Sequence, residues 1–311
     1  MKMKTTVRLI GAACLMTCVF DVSLCAQMPG STEDGVAIRE VLPTAADPAL
    51  KTDFDSPNLV YVPAGKPRPE LVVFLPGTHG KPQAYMTLQK AIAATGFRVA
   101  GLMYNDVPLE GNVCGAQEDP RCPGRFREER VMGEVPDAPV QNSVQESIVR
   151  RLVNLLKFEE KANPKEGWDA YLSGENPNWA KIIIAGHSQG AGMAAYIAKH
   201  HEVARAVLFS GGPDPAGGKS GTLRIASWVI EPMSKTPPDR WWAEYHAKEF
   251  AGALLPAGYA ALAIPKDHVI ELGLEPPGTV KAQGLVAYHM AVIADPRYLP
   301  EWKRLFGIEP K

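Results

Sequence analysis

The sequence lacks an excess of charge of either sign. Its 33 basic and 34 acidic residues give a net charge of -1 over 311 residues at pH 7. Proteins that bind nucleic acid or anionic membranes usually carry clusters of basic residues, so neither partner is expected. No run of about 18 apolar residues occurs, and we expect no stable membrane insertion.

Sequence motifs for metals and phosphates are also missing. The seven histidines show neither H-x-x-x-H nor H-E-x-x-H spacing. There is no G-x-x-x-x-G-K-[ST] segment and no G-x-G-x-x-G after a strand pattern. Such motifs supply metal ligands or the backbone amides that hold phosphates. The sequence therefore predicts no metal and no cofactor.

Cysteine is scarce, and its distribution is uneven. Three of the five cysteines fall within residues 1–26, where basic residues, an apolar run over 9–20 and small residues follow one another. This order is typical of a secretory signal peptide, with cleavage after Cys25 or Ala26. It predicts a secreted or periplasmic protein, in which the remaining Cys114 and Cys122 form a disulfide.

The rest of the chain reads as a polar lead-in, residues 27–57, and a single domain, residues 58–311. Apolar runs and helical spacing alternate along this domain, which predicts a three-layer α/β fold. The predicted strands are 58–63, 71–75, 97–104, 179–185, 203–209, 223–230 and 241–246. The predicted helices are 82–95, 142–161 and 190–200. Residues 105–139 lack periodicity, and we expect a long loop of functional importance there.

One pentapeptide carries chemistry. Gly186-His187-Ser188-Gln189-Gly190 matches G-x-S-x-G, follows the predicted strand 179–185 and opens the predicted helix 190–200. A sharp turn between strand and helix exposes the serine hydroxyl, and glycines on either side let the turn close. The amides at the start of the helix favour negative charge at the same place. The pattern indicates a nucleophilic Ser188.

A second segment, PGTHGKP, follows the predicted strand 71–75. With the pentapeptide, it makes the chain resemble the α/β-hydrolase superfamily, and within it bacterial secreted hydrolases with a P-G-T-x-G-K-P segment. The resemblance implies an α/β-hydrolase fold with a mostly parallel central sheet. It also implies an oxyanion hole formed by the backbone amides of Thr78 and Gln189.

The general base has to be a histidine. In this superfamily the order along the chain is nucleophile, acid, histidine. The resemblance therefore implies His289, the last histidine, although Tyr288 replaces the small residue that usually precedes it. His268 is the second choice, and His187, inside the pentapeptide, is interpreted as structural.

The acid is open. The superfamily pattern of Thr-Pro, a strand and His-x-x-acid matches a segment that ends at Glu249. The usual residue there is Asp, so Glu is a departure from the pattern. Asp214 is the alternative, because some hydrolases carry the acid one strand earlier, and Asp239 is the third candidate.

The predicted function is carboxylic ester hydrolysis through an acyl-enzyme on Ser188, with a small-molecule or acyl-ester substrate. Ester hydrolysis is inferred from the superfamily and not from the residues themselves. Two alternatives stay open. A secreted binding protein could keep the fold without an effective acid, and an acyltransferase would use the same residues with an acceptor other than water.

Overall fold

The structure is a computed structural model and describes residues 31–33, 35–216, 224–231 and 234–308. The predicted signal peptide, residues 1–26, lies outside the described residues. Within these ranges, none of the helices combines the length and apolar character needed to cross a bilayer.

The strands and helices alternate through most of the chain. The strands are β1 (Ser31–Glu33), β2 (Val36–Val41), β3 (Asn58–Pro63), β4 (Leu71–Leu75), β5 (Arg98–Gly101), β6 (Leu172–Ser173), β7 (Asn176–Pro177), β8 (Ile182–His187), β9 (Arg205–Phe209), β10 (Pro215–Ala216), β11 (Arg224–Ile225), β12 (Trp241–His246) and β13 (Val269–Leu272). The helices are α1 (Pro43–Ala46), α2 (Met86–Ala93), α3 (Glu110–Cys114), α4 (Cys122–Met132), α5 (Ile148–Ala162), α6 (Gln189–His200), α7 (Ser227–Ile230), α8 (Leu255–Ala261), α9 (Leu285–Ala294) and α10 (Leu299–Leu305).

One large sheet organises the described residues. Its strand order is β1-β2-β3-β5-β4-β8-β9-β12-β13. Strands from β5 to β13 in this order are parallel, whereas β1, β2, β3 and β5 pair antiparallel. Helices cover both faces, so the protein has the predicted three-layer α/β-hydrolase fold with a mostly parallel central sheet.

The buried strand β4 shows why the sequence pattern was informative. Leu71, Val73 and Leu75 enter the core that includes side chains of α4, α5 and α6. Val72 and Phe74 enter the core on the other face, with side chains of α2, α9 and α10. A strand covered on both faces reads as an unbroken apolar run. The predicted bounds of β3, β4 and β12 are confirmed.

The predicted helix 142–161 starts later than expected. Helix α5 begins at Ile148, and the Ser147 hydroxyl accepts a hydrogen bond of 3.2 Å from the Arg150 amide. Ser147 is therefore the N-cap, and the predicted start of the helix at residue 142 was wrong. The predicted helix 82–95 is confirmed as a 3-10 turn, Pro82–Tyr85, followed by α2.

Three segments differ from the sequence predictions. The predicted strand 223–230 was wrong, because its described part contains the two-residue strand β11 and the helix α7. The expected long loop 105–139 contains helices α3 and α4. Within the predicted lead-in, β2 pairs with β3 along its whole length and so belongs to the central sheet.

A disulfide joins α3 and α4, the two helices that the sequence did not predict. Cys114 ends α3, Cys122 begins α4, and the two sulfurs are bonded. Both cysteines are buried against the core that also contains Phe126. The predicted pairing is confirmed, and it fixes the segment that leads from β5 back to the sheet.

Candidate active site

Ser188 stands at the turn between β8 and α6. Its backbone has φ 55° and ψ -121°, which a non-glycine residue rarely adopts. The neighbouring glycines leave no space for a side chain. A Cβ at Gly190 would lie 2.1 Å from the Leu75 carbonyl oxygen, and a Cβ at Gly186 would lie 2.3 Å from the Gly190 carbonyl oxygen. The strained turn is therefore possible only with glycine at both positions.

The P-G-T segment passes directly beside this turn. A Cβ at Gly77 would lie 3.0 Å from Ser188 Cβ, so the two backbones approach closely. Among the described residues, neither the Thr78 amide nor the Gln189 amide donates a hydrogen bond to a protein acceptor. Gln189 is the first residue of α6, where helix amides have no internal partner. Gln189 follows Ser188 in the chain, and Thr78 follows Gly77, the residue that approaches Ser188.

Buried contacts hold the P-G-T segment in place. The Gly77 amide donates to the Tyr85 hydroxyl oxygen at 2.8 Å, and the Gly80 amide donates to Asp106 Oδ2 at 2.8 Å. Burial raises the pKa of Asp106 to about 6, although the hydrogen bond from Gly80 opposes this shift. Above that pH the carboxylate is the stronger acceptor, so ionised Asp106 favours this conformation of the segment.

The Gln189 side chain has a structural role that differs from the role of its backbone amide. Its Oε1 accepts a hydrogen bond of 2.7 Å from the Glu110 amide, and its Nε2 donates to the carbonyl oxygens of Asp106 and Pro108. The side chain therefore ties the start of α3 to the start of α6. The sequence motif alone did not indicate this role.

The predicted base and acid contact each other. His289 lies on α9, and its Nδ1 is hydrogen-bonded to Glu249 Oε2. The other oxygen, Glu249 Oε1, accepts hydrogen bonds from the Ser210 hydroxyl at 2.8 Å and from the His246 amide at 3.1 Å. The Glu249 side chain is fully buried, and that of His289 is 7% exposed. This arrangement leaves His289 Nε2 free to accept a proton.

His187 connects the base to the P-G-T segment. Its Nε2 lies 3.1 Å from the His289 carbonyl oxygen, and its Nδ1 lies 3.3 Å from the Tyr85 hydroxyl. Burial, together with the neighbouring His289, lowers the pKa of His187 well below its usual value. The ring is therefore neutral, with Nε2 donating to His289 and Nδ1 accepting from Tyr85. Sequence reasoning took His187 as structural but did not identify this connection.

Ser188 and His289 are neighbours through His187, whose ring centroid lies 4.4 Å from that of His289. No hydrogen bond joins Ser188 to His289 in the part of the chain that the structure describes. Bonds between nucleophile and base are often long without substrate and shorten when substrate binds.

The alternative acid lies elsewhere. Asp214 receives two hydrogen bonds from Arg127, at 2.9 and 2.6 Å, and one of 3.0 Å from the Trp228 indole nitrogen. Both charged side chains of this pair are about 95% buried. Because Asp214 does not contact His289, the structure does not support it as the orienting acid.

The two remaining candidates lie elsewhere. The second-choice base, His268, hydrogen-bonds the Trp241 carbonyl oxygen through Nδ1 at 3.0 Å and stacks on Trp242 with 3.8 Å between ring centroids. The third-choice acid, Asp239, lies in the 3-10 turn Pro238–Arg240 before β12. Neither contacts His289.

A buried charged cluster was not visible in the sequence. Glu110 is 3% exposed, and its Oε1 has no hydrogen-bond partner among the residues that the structure describes. Burial and the negative charge of Asp214 raise the pKa of Glu110 to about 8, against the attraction of Arg127. Arg127 also donates to the Gln189 carbonyl oxygen at 3.2 Å, which brings this cluster to the start of α6. Glu110 and Arg127 lie in the segment 105–139, which has no apolar periodicity, so no pattern indicated them.

Within the described ranges, no group of three or more His, Cys, Asp or Glu side chains is arranged to hold a metal ion.

No protein-family model and no curated protein matches the sequence. Among solved structures, the chain is similar to a cold-adapted esterase from an Arctic intertidal metagenomic library, with 14% identity over 89% of this chain and 93% of that chain and a TM-score of 0.43. A serine hydrolase homologue from Coxiella burnetii has 15% identity over 80% and 90% of the two chains and a TM-score of 0.43. These similarities are distant, so the function has to be argued from the site.

Proposed function

We propose that the protein is a serine hydrolase that cleaves carboxylic esters through an acyl-enzyme on Ser188. The observation that carries this proposal is the hydrogen bond between His289 Nδ1 and the buried Glu249, beside a strained serine turn. An imidazole held by a buried carboxylate and a serine on a strand–helix turn are the parts that acyl transfer needs.

Each part has a step to perform. Ser188 Oγ attacks the ester carbonyl carbon while His289 Nε2 takes the hydroxyl proton. Glu249 keeps Nδ1 protonated and stabilises the imidazolium as it forms. The amides of Thr78 and Gln189 bind the oxyanion, where one such donor contributes about 3–4 kcal/mol. The imidazolium then protonates the leaving alcohol, and water, activated by the same histidine, releases the acid.

The proposed substrate is a small-molecule or acyl ester, and the proposed location is outside the cytoplasm. The Cys114–Cys122 disulfide agrees with an exported protein, because such bonds persist in oxidising compartments. The proposed single domain runs from β1, the first strand of the sheet, to the end of the described residues at position 308.

The test uses an alkyl fluorophosphonate probe and short p-nitrophenyl esters. The wild-type protein is expected to be labelled on Ser188 and to turn the esters over. Ser188→Ala should lose labelling and at least about a thousandfold of kcat, because the covalent route is removed. The matched control is Ser173→Ala, since Ser173 is exposed on the short strand β6. Ester turnover that persists in Ser188→Ala would refute the proposal.

The same experiment separates the two alternatives. A binding protein without catalysis would leave the fluorophosphonate unreacted. The departure from Asp to Glu had supported that hypothesis, and it carries less weight because Glu249 reaches His289. An acyltransferase would be labelled, but its acyl group would appear on an added alcohol or amine in preference to water.

A further inference from the structure

Ser210 joins the end of one central strand to the acid on the next loop. It directly follows β9, and its amide donates to the Glu244 carbonyl oxygen of β12 at 2.8 Å. Its hydroxyl donates to Glu249 Oε1 at 2.8 Å. Ser210 is only 3% exposed, so little water competes for this hydrogen bond.

The backbone at this position suits glycine better than serine. Ser210 has φ 49°, in the left-handed region where a Cβ is unfavourable. The next two residues are Gly211 and Gly212, and Gly212 also has a positive φ, of 125°. Strained non-glycine residues often occur where a side chain is needed for function. The hydroxyl is the polar group of the Ser210 side chain, and it is hydrogen-bonded to Glu249.

The length of the Glu249 side chain explains why a hydroxyl is needed at position 210. Glutamate has one more rotatable bond than the aspartate usual in the superfamily, so its carboxylate has more positions to choose from. Two donors, the Ser210 hydroxyl and the His246 amide, fix Oε1, and Oε2 is thereby directed at His289 Nδ1.

We propose that Ser210 is a positioning residue for the base: its hydroxyl fixes Glu249 so that Glu249 can orient His289. The inference rests on the proposed function and adds a fourth side chain to Ser188, His289 and Glu249. Ser210 touches neither substrate nor the reacting atoms in this scheme and acts through Glu249.

Two substitutions separate the hydroxyl from the backbone. Ser210→Ala and Ser210→Gly both remove the hydroxyl, but only glycine relieves the left-handed strain. We expect kcat for p-nitrophenyl acetate to fall about tenfold in both variants, with KM within about twofold, since one hydrogen bond to a charged group is lost. The melting temperature of the glycine variant should exceed that of the alanine variant by about 2–4 °C.

The matched control is Ala263→Gly. Ala263 is exposed, has φ 59° and carries no polar side chain. This variant should gain thermal stability without any change in kcat. If Ser210→Gly instead recovers wild-type kcat while Ser210→Ala does not, activity follows the backbone and the inference is overturned.

Labelling distinguishes a failure of the proposed role of Ser210 from a failure of the proposed function. If the wild-type protein reacts with the fluorophosphonate but the alanine and glycine variants react at the same rate, the role of Ser210 is wrong and the proposed function stands. If the wild-type protein does not react at all, the proposed function fails, and the role of Ser210 fails with it.

Discussion

Two buried carboxylates flank the serine turn, and they differ in what they contact. Glu249, after β12, is bound by an imidazole, a hydroxyl and a backbone amide. Asp214, after β9, is bound by a guanidinium and an indole. Each residue is 5% exposed, so burial does not distinguish them.

The partners decide what each carboxylate is able to do. A guanidinium is always charged, so the charge of Asp214 is balanced by Arg127 at all times. An imidazole gains a charge only when it takes a proton, so the charge of Glu249 can stabilise a state that forms during a reaction. The balanced charge of Asp214 supports the fold, whereas under the proposed function the charge of Glu249 supports catalysis.

The largest expected effect comes from Glu249→Gln. The amide keeps the size of the side chain but is neutral, and it can hold His289 in the wrong tautomer. We expect kcat for short esters to fall by about 10³–10⁴, as is typical when the orienting acid of a triad is neutralised. Steady-state kinetics with the melting temperature measured in parallel test this. A loss of kcat below about tenfold would remove Glu249 from the mechanism.

The next effect is on stability and comes from Asp214→Asn. Arg127 would lose the carboxylate that receives two of its hydrogen bonds, and breaking a buried ion pair in this way typically costs about 3–5 kcal/mol. We expect the urea midpoint to fall accordingly, while the folded fraction keeps its fluorophosphonate reactivity. Equal loss of labelling and of stability would mean that the two carboxylates do not differ in role.

The smallest effect is a pH dependence that involves Glu110. Its pKa is raised to about 8 by burial and by Asp214, above the ordinary value of 4.5. The unfolded chain therefore releases this proton first, and stability falls as pH rises from about 4.5 to about 8. Glu110→Gln does not titrate, so its melting temperature should equal that of the wild type near pH 4.5 and exceed it at pH 9.

The same variant can be combined with Asp214→Asn to sharpen the comparison. Without the charge of Asp214, Arg127 is free to stabilise ionised Glu110. The difference between glutamate and glutamine at position 110 should then shrink at high pH. An undiminished difference would show that Asp214 does not contribute to the raised pKa of Glu110.

The sequence predicted those parts of the fold that local patterns control. Strand β4 is an unbroken apolar run because both of its faces are buried, and the serine turn needs glycines that are visible in the motif. The run 223–230 misled because a short apolar segment has no period that separates strand from helix. Helix α4 was not predicted because its buried face carries charged residues and therefore shows no apolar periodicity. These residues are Arg127, Glu129 and Arg130.

Local patterns in the sequence also predicted part of the candidate site. Ser188 is marked by neighbours in the chain, and the order of residues pointed to His289. The choice between Glu249 and Asp214 depends on which side chain reaches His289, and that contact joins residues 40 positions apart. Ser210 and Glu110 had no signal, because their importance comes only from partners on other elements.

One buried ring connects two parts of the candidate site. His187 lies between Tyr85, which holds Gly77, and the backbone of His289, and both His187 and Tyr85 are buried. Under the proposed function, these buried contacts control the separation between the oxyanion donors and the base. If the proposed function holds, exposed segments around the site could be exchanged for longer or shorter ones while the base and the oxyanion donors keep their separation.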